Sequence, residues 1–354
     1  MTGAAGGPVF VVGVMGSGTT LTRLVLDSHP NLAIAQETGL ARLLVANEWV
    51  PFWKFGGEWY GRLGLQREDL DVELREFYGG LFERFAREQG ATRWGDKTPF
   101  HTWHIARLSR VFPDGVFIAM VRHPAAVASS LHNRFGYSWE AAIQRWMRST
   151  KELILRGSQL DGRMALCRYE DLVTQPELIV PGLISWLDEP WSDEVLSFHE
   201  VHRQRGTAKE VEGLTRSDRP MDASRIAQWT HSVDSDVSRL FGRTAALATL
   251  LGYDLDQPMP VAPLGSRSTG GIATGADLEG LIARDSGVTW RDRRPTLENR
   301  QLRPEDLKSL RRRASADAHP PPWRSRAVRR LPPGTRRRLA ALNRRVLGSR
   351  RRHR

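Results

Sequence analysis

Cysteine is nearly absent from this chain of 354 residues, which holds a single thiol at Cys167. One cysteine makes no disulfide within the chain and no cysteine cluster for zinc, so a stapled miniprotein and a zinc finger are excluded and a reducing compartment is expected. Long apolar runs are lacking too. No uncharged hydrophobic stretch reaches the ~18 residues of a membrane span, and the first ten residues, MTGAAGGPVF, carry no basic lead-in of a secretion signal. A cytoplasmic protein is therefore expected. Repeats of solenoid period are missing as well. What is present is a chain 40% hydrophobic and 26% charged, enough apolar material for a core, which excludes wholesale disorder and a collagen-like fibre.

The net charge of +12 suggests a nucleic-acid partner until it is divided along the chain. Residues 291–354 hold 22 Lys and Arg against 5 Asp and Glu, a net of +17, which leaves −5 for residues 1–290. A mildly acidic globular part has no general field for an anion, so an anion site there must be built from a few residues. Nucleic acid is not the expected partner of that part. Near residue 258 hydrophobic periodicity stops and Pro, Gly and Ser collect in DQPMPVAPLGSRSTGGIATG. Two regions follow: a domain at 1–257, and a Pro/Gly linker with an Arg-rich tail at 258–354, expected to be largely disordered. Leu339, Leu342, Val346 and Leu347 share one helical face in the tail with arginines around them. That pattern suits peripheral contact with an anionic membrane at the inner face; an acidic polymer would attract the same charges, and a solvated tail without a partner has the same composition.

Within 1–257, short apolar runs alternate with longer amphipathic ones, the pattern of an α/β protein with a central parallel sheet flanked by helices. Strands are predicted at 8–14, 32–35, 91–95, 115–121 and 163–168, short and apolar as buried parallel strands are. Helices are predicted after Thr19 and over 70–88, 102–110, 124–133, 139–156, 176–187 and 222–251.

After the first strand, Gly13-Val14-Met15-Gly16-Ser17-Gly18-Thr19-Thr20-Leu21 turns into a helix. Glycines let backbone amides close on an anion, and a helix N-terminus adds free N–H groups. Against the nucleotide-triphosphate pattern GxxxxGK[ST], Gly13, Gly18 and Thr20 fit, but Thr19 stands at the lysine position. Kinase or ATPase chemistry loses the charge it relies on there. The strand at 115–121 delivers Arg122-His123-Pro124 and then a helix with Ser129, Ser130 and Arg134. In a magnesium-dependent relative of such a fold an aspartate is usual at that strand end; an arginine suits a bidentate grip on phosphate. A second phosphate position thus takes the place of a metal, and no metal is expected. A divergent P-loop kinase or NTPase and a catalytically inactive nucleotide-binding or nucleic-acid-binding protein stay open as alternatives on the residues alone.

These two segments, with Cys167-Arg168-Tyr169-Glu170-Asp171-Leu172-Val173 and Leu251-Gly252-Tyr253-Asp254, resemble sulfotransferases that use 3′-phosphoadenosine 5′-phosphosulfate (PAPS), closest to the tyrosylprotein-type and related bacterial branches. The resemblance covers residues 8–257 and implies a three-layer fold of P-loop type. It implies that Ser17, Gly18, Thr19, Thr20 and Leu21 bind the 5′-phosphosulfate, that Arg122, Ser130 and Arg134 hold the 3′-phosphate, and that Tyr169 lies near the nucleotide. The loop of residues 208–221 is implied to cover the nucleotide, with Arg219 as its candidate and Lys209 and Arg216 beside it. The segment from His29 to Thr38 resembles the one whose glutamate removes the acceptor proton, which implies Glu37 as base. Arg93-Trp94-Gly95-Asp96-Lys97-Thr98 resembles the segment with a catalytic lysine, which implies that Lys97 neutralises the leaving oxygen. Outside the resemblance, Glu37 reads as a helix N-terminal carboxylate, Lys97 as a solvated partner of Asp96, and His101 and His104 as rival bases. The family loop commonly has Arg or Lys where this chain has Gly16, so the missing charge must come from elsewhere. The acceptor is expected to be a hydroxyl of a carbohydrate, a lipid-linked glycan, a small molecule or a protein tyrosine. The aromatic stretch between Asn47 and Gly64 is a candidate wall for it.

Overall fold

The structure is a computed structural model, and it describes residues 6–46, 61–65, 67–206, 218–265, 269–284 and 286–290. Most of the aromatic stretch (47–60), Lys209, Arg216 and the Arg-rich tail from 291 lie outside the described residues. Six strands form one sheet: β1 Val9–Gly13, β2 Leu32–Gln36, β3 Arg93–Lys97, β4 Val116–Val121, β5 Met164–Arg168 and β6 Ala273–Thr274. Their order is β2-β3-β1-β4-β5-β6, and every pairing is parallel except β5 with β6. All residues of β1, β3, β4 and β5 are buried, as strands covered on both faces must be.

Twelve α-helices are described: α1 Thr19–Asp27, α2 Leu40–Ala46, α3 Arg67–Glu88, α4 Ile105–Val111, α5 Pro124–Phe135, α6 Trp139–Gly157, α7 Tyr169–Thr174, α8 Pro176–Trp186, α9 Phe198–Gln204, α10 Ser235–Phe241, α11 Ala245–Leu250 and α12 Gly275–Ala283. Alternation along the strands divides the core into two layers. On one face Phe10 and Phe117 stack at 5.3 Å and meet Trp94, Phe112 and Phe82 of α3. On the other, Val9, Val11, Ile118 and Met120 pack with Leu24 of α1, Leu172 of α7 and Leu183 of α8. Helices on both faces of a mostly parallel sheet make the α/β, three-layer architecture that the sequence pattern predicts. Among the described residues no helix is long and apolar enough to cross a membrane.

Two expectations change. The helix predicted over 222–251 is broken into 3-10 turns at Ala223–Arg225 and Gln228–His231, then α10, a further turn at Gly242–Thr244, and α11. Asp222 and Asp234 each accept from backbone N–H groups two or three residues on, so these side chains start new turns where a continuous helix would need the backbone to pair with itself. The boundary near 258 is an excursion of the chain rather than its exit from the domain. Residues 269–284 return to add β6 beside β5, with Ile272, Ala273, Leu278 and Leu281 buried, and Gly270 closes on Gly182 of α8 with no room for a side chain on either. The signal was hidden because a two-residue strand has no periodicity of its own. The described residues up to 131 and from 139 to 290 make one compact unit; residues 132–138 belong to a second. In the second, Tyr137 bonds through its carbonyl to the His132 ring, and the Arg134 guanidinium lies over the Phe135 ring.

Candidate active site

The loop after β1 is shaped by two glycines at which a side chain would collide. Gly16 has φ 89° and a Cβ there would come 2.8 Å from Ser130 Oγ; Gly18 has φ 101° and a Cβ would come 2.6 Å from the Tyr169 ring. Both sit in the left-handed region that favours glycine. The loop is therefore pressed against α5 on one side and the end of β5 on the other. Gly18 opens α1, and the first helical bond runs from the Thr22 N–H to the Gly18 carbonyl. The N–H groups of Thr19, Thr20 and Leu21 lie before that ladder, pointing along the positive end of the helix dipole. Ser17 Oγ is buried with no hydrogen-bond partner among the described residues. A buried hydroxyl without a partner in a cradle of helix-end amides fits an anion. The Leu21 side chain is in the hydrophobic core, so only its backbone can contribute.

Arg122, at the end of β4, reaches the same loop. Its Nη1 donates to the Gly16 carbonyl at 3.2 Å and its Nη2 to the Arg225 carbonyl at 3.0 Å, with the guanidinium 4.1 Å from the Tyr169 ring centre. Nε is buried without a partner among the described residues. The contacts made by its two terminal nitrogens go to carbonyl oxygens, which leave the charge in place for an anionic ligand. The backbone beneath is fixed by a buried network. Trp146 donates to the Arg122 carbonyl at 2.9 Å, the His123 N–H donates to Glu170 at 3.0 Å, and the Tyr253 hydroxyl donates to the other Glu170 oxygen at 2.9 Å. Burial pushes the Glu170 carboxyl up from its ordinary value and the His123 imidazole down to about 4. His123 Nδ1 accepts from the Ala125 N–H, so the neutral ring donates from Nε2 to the Asp254 carbonyl. Arg168 completes the join, bonding Asp171 at 2.6 Å and the Leu251 carbonyl at 2.9 Å. The two sequence motifs 167–173 and 251–254 thus hold one another beneath Arg122.

Glu37 and Lys97 meet at the ends of neighbouring strands, where Gln36 of β2 lies beside Lys97 of β3. Lys97 Nζ is 2.5 Å from Glu37 Oε1 and 3.5 Å from Thr20 Oγ1. The lysine side chain is 1% exposed and the glutamate 43%. Burial lowers the Lys97 pKa, against the pull of Glu37 which raises it. Glu37 sits at φ 50°, a conformation a glutamate rarely adopts, while its N–H donates to the Lys97 carbonyl at 2.8 Å. The reading of Lys97 as a solvated partner of Asp96 does not hold: Lys97 is buried and its ion pair is with Glu37. Asp96 is instead engaged by Thr38, by Thr98 and by His101 Nε2 at 2.9 Å. His101 is buried in that pair.

The structure brings Ser17, Gly18, Thr19, Thr20, Ser130, Arg122, Tyr169, Lys97 and Glu37 into one connected region around the loop. Among the described residues Arg219 makes none of these contacts. That side chain is exposed, beside Asp218 whose carbonyl accepts from Arg203. The segment that does reach Arg122 lies six residues on: Arg225 through its carbonyl, and Trp229, whose ring stacks on His123 at 4.6 Å. Predicting one long helix from 222 concealed it, although Asp222 and Asp234 are readable as caps. Arg134 belongs to the second unit and is described there. Thr102, which accepts from the Gly13 N–H at 2.9 Å, was also missed, since a threonine 89 residues away carries no local signal. Among the described residues no group of His, Cys, Asp or Glu is placed to hold a metal ion.

An open, mostly parallel sheet with an anion cradle after β1 and an arginine at the end of β4 defines a nucleotide-type phosphate site at the strands' carboxyl ends. Residues 8–193 match the Sulfotransferase family, and the chain belongs to that family. It is similar to protein-tyrosine sulfotransferase 1 of Danio rerio, 28% identical over 260 residues that span 70% of this chain and 72% of that protein. The human protein-tyrosine sulfotransferase 1 is likewise 28% identical, over 70% of this chain and 69% of its own length. Among solved structures, the sulfotransferase domain from the curacin biosynthetic pathway aligns with a TM-score of 0.45 at 21% identity, covering 68% of this chain and 98% of that one.

Proposed function

We propose that this sulfotransferase moves a sulfuryl group from PAPS to a hydroxyl-bearing acceptor. The observation that carries the reading is the buried Lys97, whose ammonium joins Glu37 to Thr20 of the anion loop. The residues present fit the donor. The 5′-phosphosulfate has the amides of Thr19–Leu21 and the unpartnered Ser17 hydroxyl; the 3′-phosphate has Arg122 with its unpartnered Nε, and Ser130 beside Gly16. Bound there, the donor supplies an activated S–O bond. The acceptor oxygen forms a new bond to sulfur as the bond to the 5′-phosphate oxygen breaks, its electron pair leaving on that oxygen. Glu37 takes the acceptor proton, for which its half-open carboxylate is accessible. Lys97 offsets the charge that develops on the leaving oxygen. Its buried ammonium, next to Thr20, stands in for the basic residue that Gly16 replaces. A cation in a dry site acts more strongly than one in water.

The similarity to protein-tyrosine sulfotransferases supports a protein tyrosine as one acceptor class, beside carbohydrate, lipid-linked and small-molecule hydroxyls. Transfer of label from [³⁵S]PAPS to a panel of tyrosine peptides, glycans and phenols separates these. No labelled product with any acceptor, in a protein that binds the desulfated nucleotide, would refute catalysis while leaving the binding site intact. The single cysteine, buried in β5, supports a cytoplasmic setting, and the net +17 of residues 291–354 supports tail contact with an anionic membrane. Co-sedimentation with phosphatidylserine vesicles should then fall steeply as salt rises; the same binding at low and high salt refutes the membrane contact.

A further inference from the structure

Beside the Glu37–Lys97 pair stands a carboxylate that the sulfotransfer reading leaves without a role. Asp96 of β3 is fully buried, and its two oxygens take three contacts. The Thr38 hydroxyl donates to Oδ2, the Thr98 hydroxyl donates to Oδ1 at 3.1 Å, and His101 Nε2 lies 2.9 Å from Oδ2. A carboxylate only accepts, so the His101 proton sits on Nε2. Along β3, Asp96 shares its face with Trp94, and its strand neighbours are Phe10 of β1 and Ala35 of β2. An apolar side chain would suit that layer, where the Phe10 ring meets Trp94 at 5.8 Å and His101 at 6.2 Å. A buried carboxylate costs free energy even when it is paired, so packing alone does not explain it.

The partners of Asp96 show what it holds. Thr38 follows Glu37 in the chain, and Thr98 follows Lys97. Glu37 sits at φ 50°, a conformation that lasts only where its surroundings hold it. On one side its N–H is tied to the Lys97 carbonyl at 2.8 Å; on the other, Thr38 is tied to Asp96. The Gly39 N–H donates to Thr98 Oγ1 at 3.4 Å and closes the same join. We propose that Asp96 is a positioning residue for sulfuryl transfer: it joins the residue after the base to the residue after the lysine, and so fixes the geometry in which Glu37 and Lys97 act, with His101 holding the carboxylate in place. The proposal rests on the sulfotransfer reading for the roles of those two side chains. Asp96 also acts on Lys97 through its charge. Burial lowers the Lys97 pKa, Glu37 raises it, Arg23 of α1 lowers it and Asp96 raises it, so the ammonium has charged neighbours on β2's end, on α1 and on its own strand.

Asp96→Asn and Thr38→Val, each made in the full chain, test it. The first keeps the shape but loses the charge and one acceptor. The second removes a hydroxyl from an exposed residue, so it decides the matter should the buried variant fail to fold. Label transfer from [³⁵S]PAPS, to whichever tyrosine peptide, glycan or phenol the panel above selects, is followed alongside calorimetry with 3′-phosphoadenosine 5′-phosphate and circular dichroism on the same preparations. Both variants should lower kcat at least tenfold, as misplaced reacting groups do, while the nucleotide dissociation constant stays within twofold. Thr38→Ser, which keeps the hydroxyl, should retain the wild-type rate. In Asp96→Asn the alkaline fall of the pH–rate profile should also begin at lower pH, because a charge that favours the ammonium is gone; in Thr38→Val it should stay where it was. Unchanged kcat in either folded variant, an alkaline fall unmoved in Asp96→Asn, or a loss of kcat matched by an equal loss of nucleotide affinity would overturn the proposal and leave Asp96 a group that only holds the fold. A wild-type chain that labels no acceptor would instead overturn the sulfotransfer reading, and the proposal with it.

Discussion

Glu37 and Lys97 were readable one at a time, through the segments that carry them, but not as a pair. Sixty residues separate them, and only the register of β2 on β3 brings their side chains to 2.5 Å. Their pairing sets what each substitution should do. Glu37→Gln should lower turnover by roughly 10²–10⁴-fold, the worth of a positioned base, while affinity for 3′-phosphoadenosine 5′-phosphate (PAP) changes little; isotope-transfer rates and calorimetry on the same preparation check this. If turnover survives, the proton leaves by another route, with His101, paired with Asp96, as the next candidate. Because burial lowers the Lys97 pKa, the alkaline fall of the pH–rate profile should begin below the 10.5 of a free lysine. Lys97→Arg, which keeps its charge to higher pH, should move that fall upward. Arg122→Ala should weaken PAP binding by on the order of 2 kcal/mol, about thirtyfold, as a charge-assisted contact is lost.

The five parallel strands were legible within two residues because each is short and mostly buried, and β1, β2, β4 and β5 are largely apolar. The helices α3, α5, α6 and α8 were legible for the complementary reason, an amphipathic or capped pattern long enough to show its period. Short elements without a period were not: α7, six residues after β5, and the broken region beyond Asp222, where polar side chains start turns. The glycine-rich loop was recognised by composition, yet what its glycines accommodate is tertiary. Gly18→Ala forces a methyl against the Tyr169 ring at φ 101°, so it should weaken PAP binding even though no charge changes. Unaltered affinity in Gly18→Ala would show that the loop does not hold the ligand in this shape. Beneath β4, His123 has a folded pKa of about 4 against 6.5 free. The unfolded chain therefore binds the proton first as pH falls below 6.5, and stability should decline by up to ~1.4 kcal/mol per pH unit from this group until pH 4. Urea denaturation at pH 7 and pH 5 reads the decline, and His123→Gln should flatten it.

For the whole molecule, the charge division along the chain was plain in the sequence, but the domain edge was not. Ile272, Leu278 and Leu281 are buried against the sheet and α6 side of the fold, and removing such side chains costs about 1.5–3 kcal/mol each. Ending the chain after residue 257 should therefore lower the unfolding midpoint sharply, whereas ending it after residue 290 should not; thermal melts of the two truncations decide. The central claim is that the β1 loop and Arg122 form one site with two phosphate positions. Calorimetric titration of the full chain with PAP and with AMP, which lacks the 3′-phosphate, tests it most directly. The account predicts that PAP binds and that AMP binds at least tenfold more weakly, with Arg122→Ala erasing the difference; equal affinity for the two nucleotides, or no PAP binding at millimolar concentration, would contradict it.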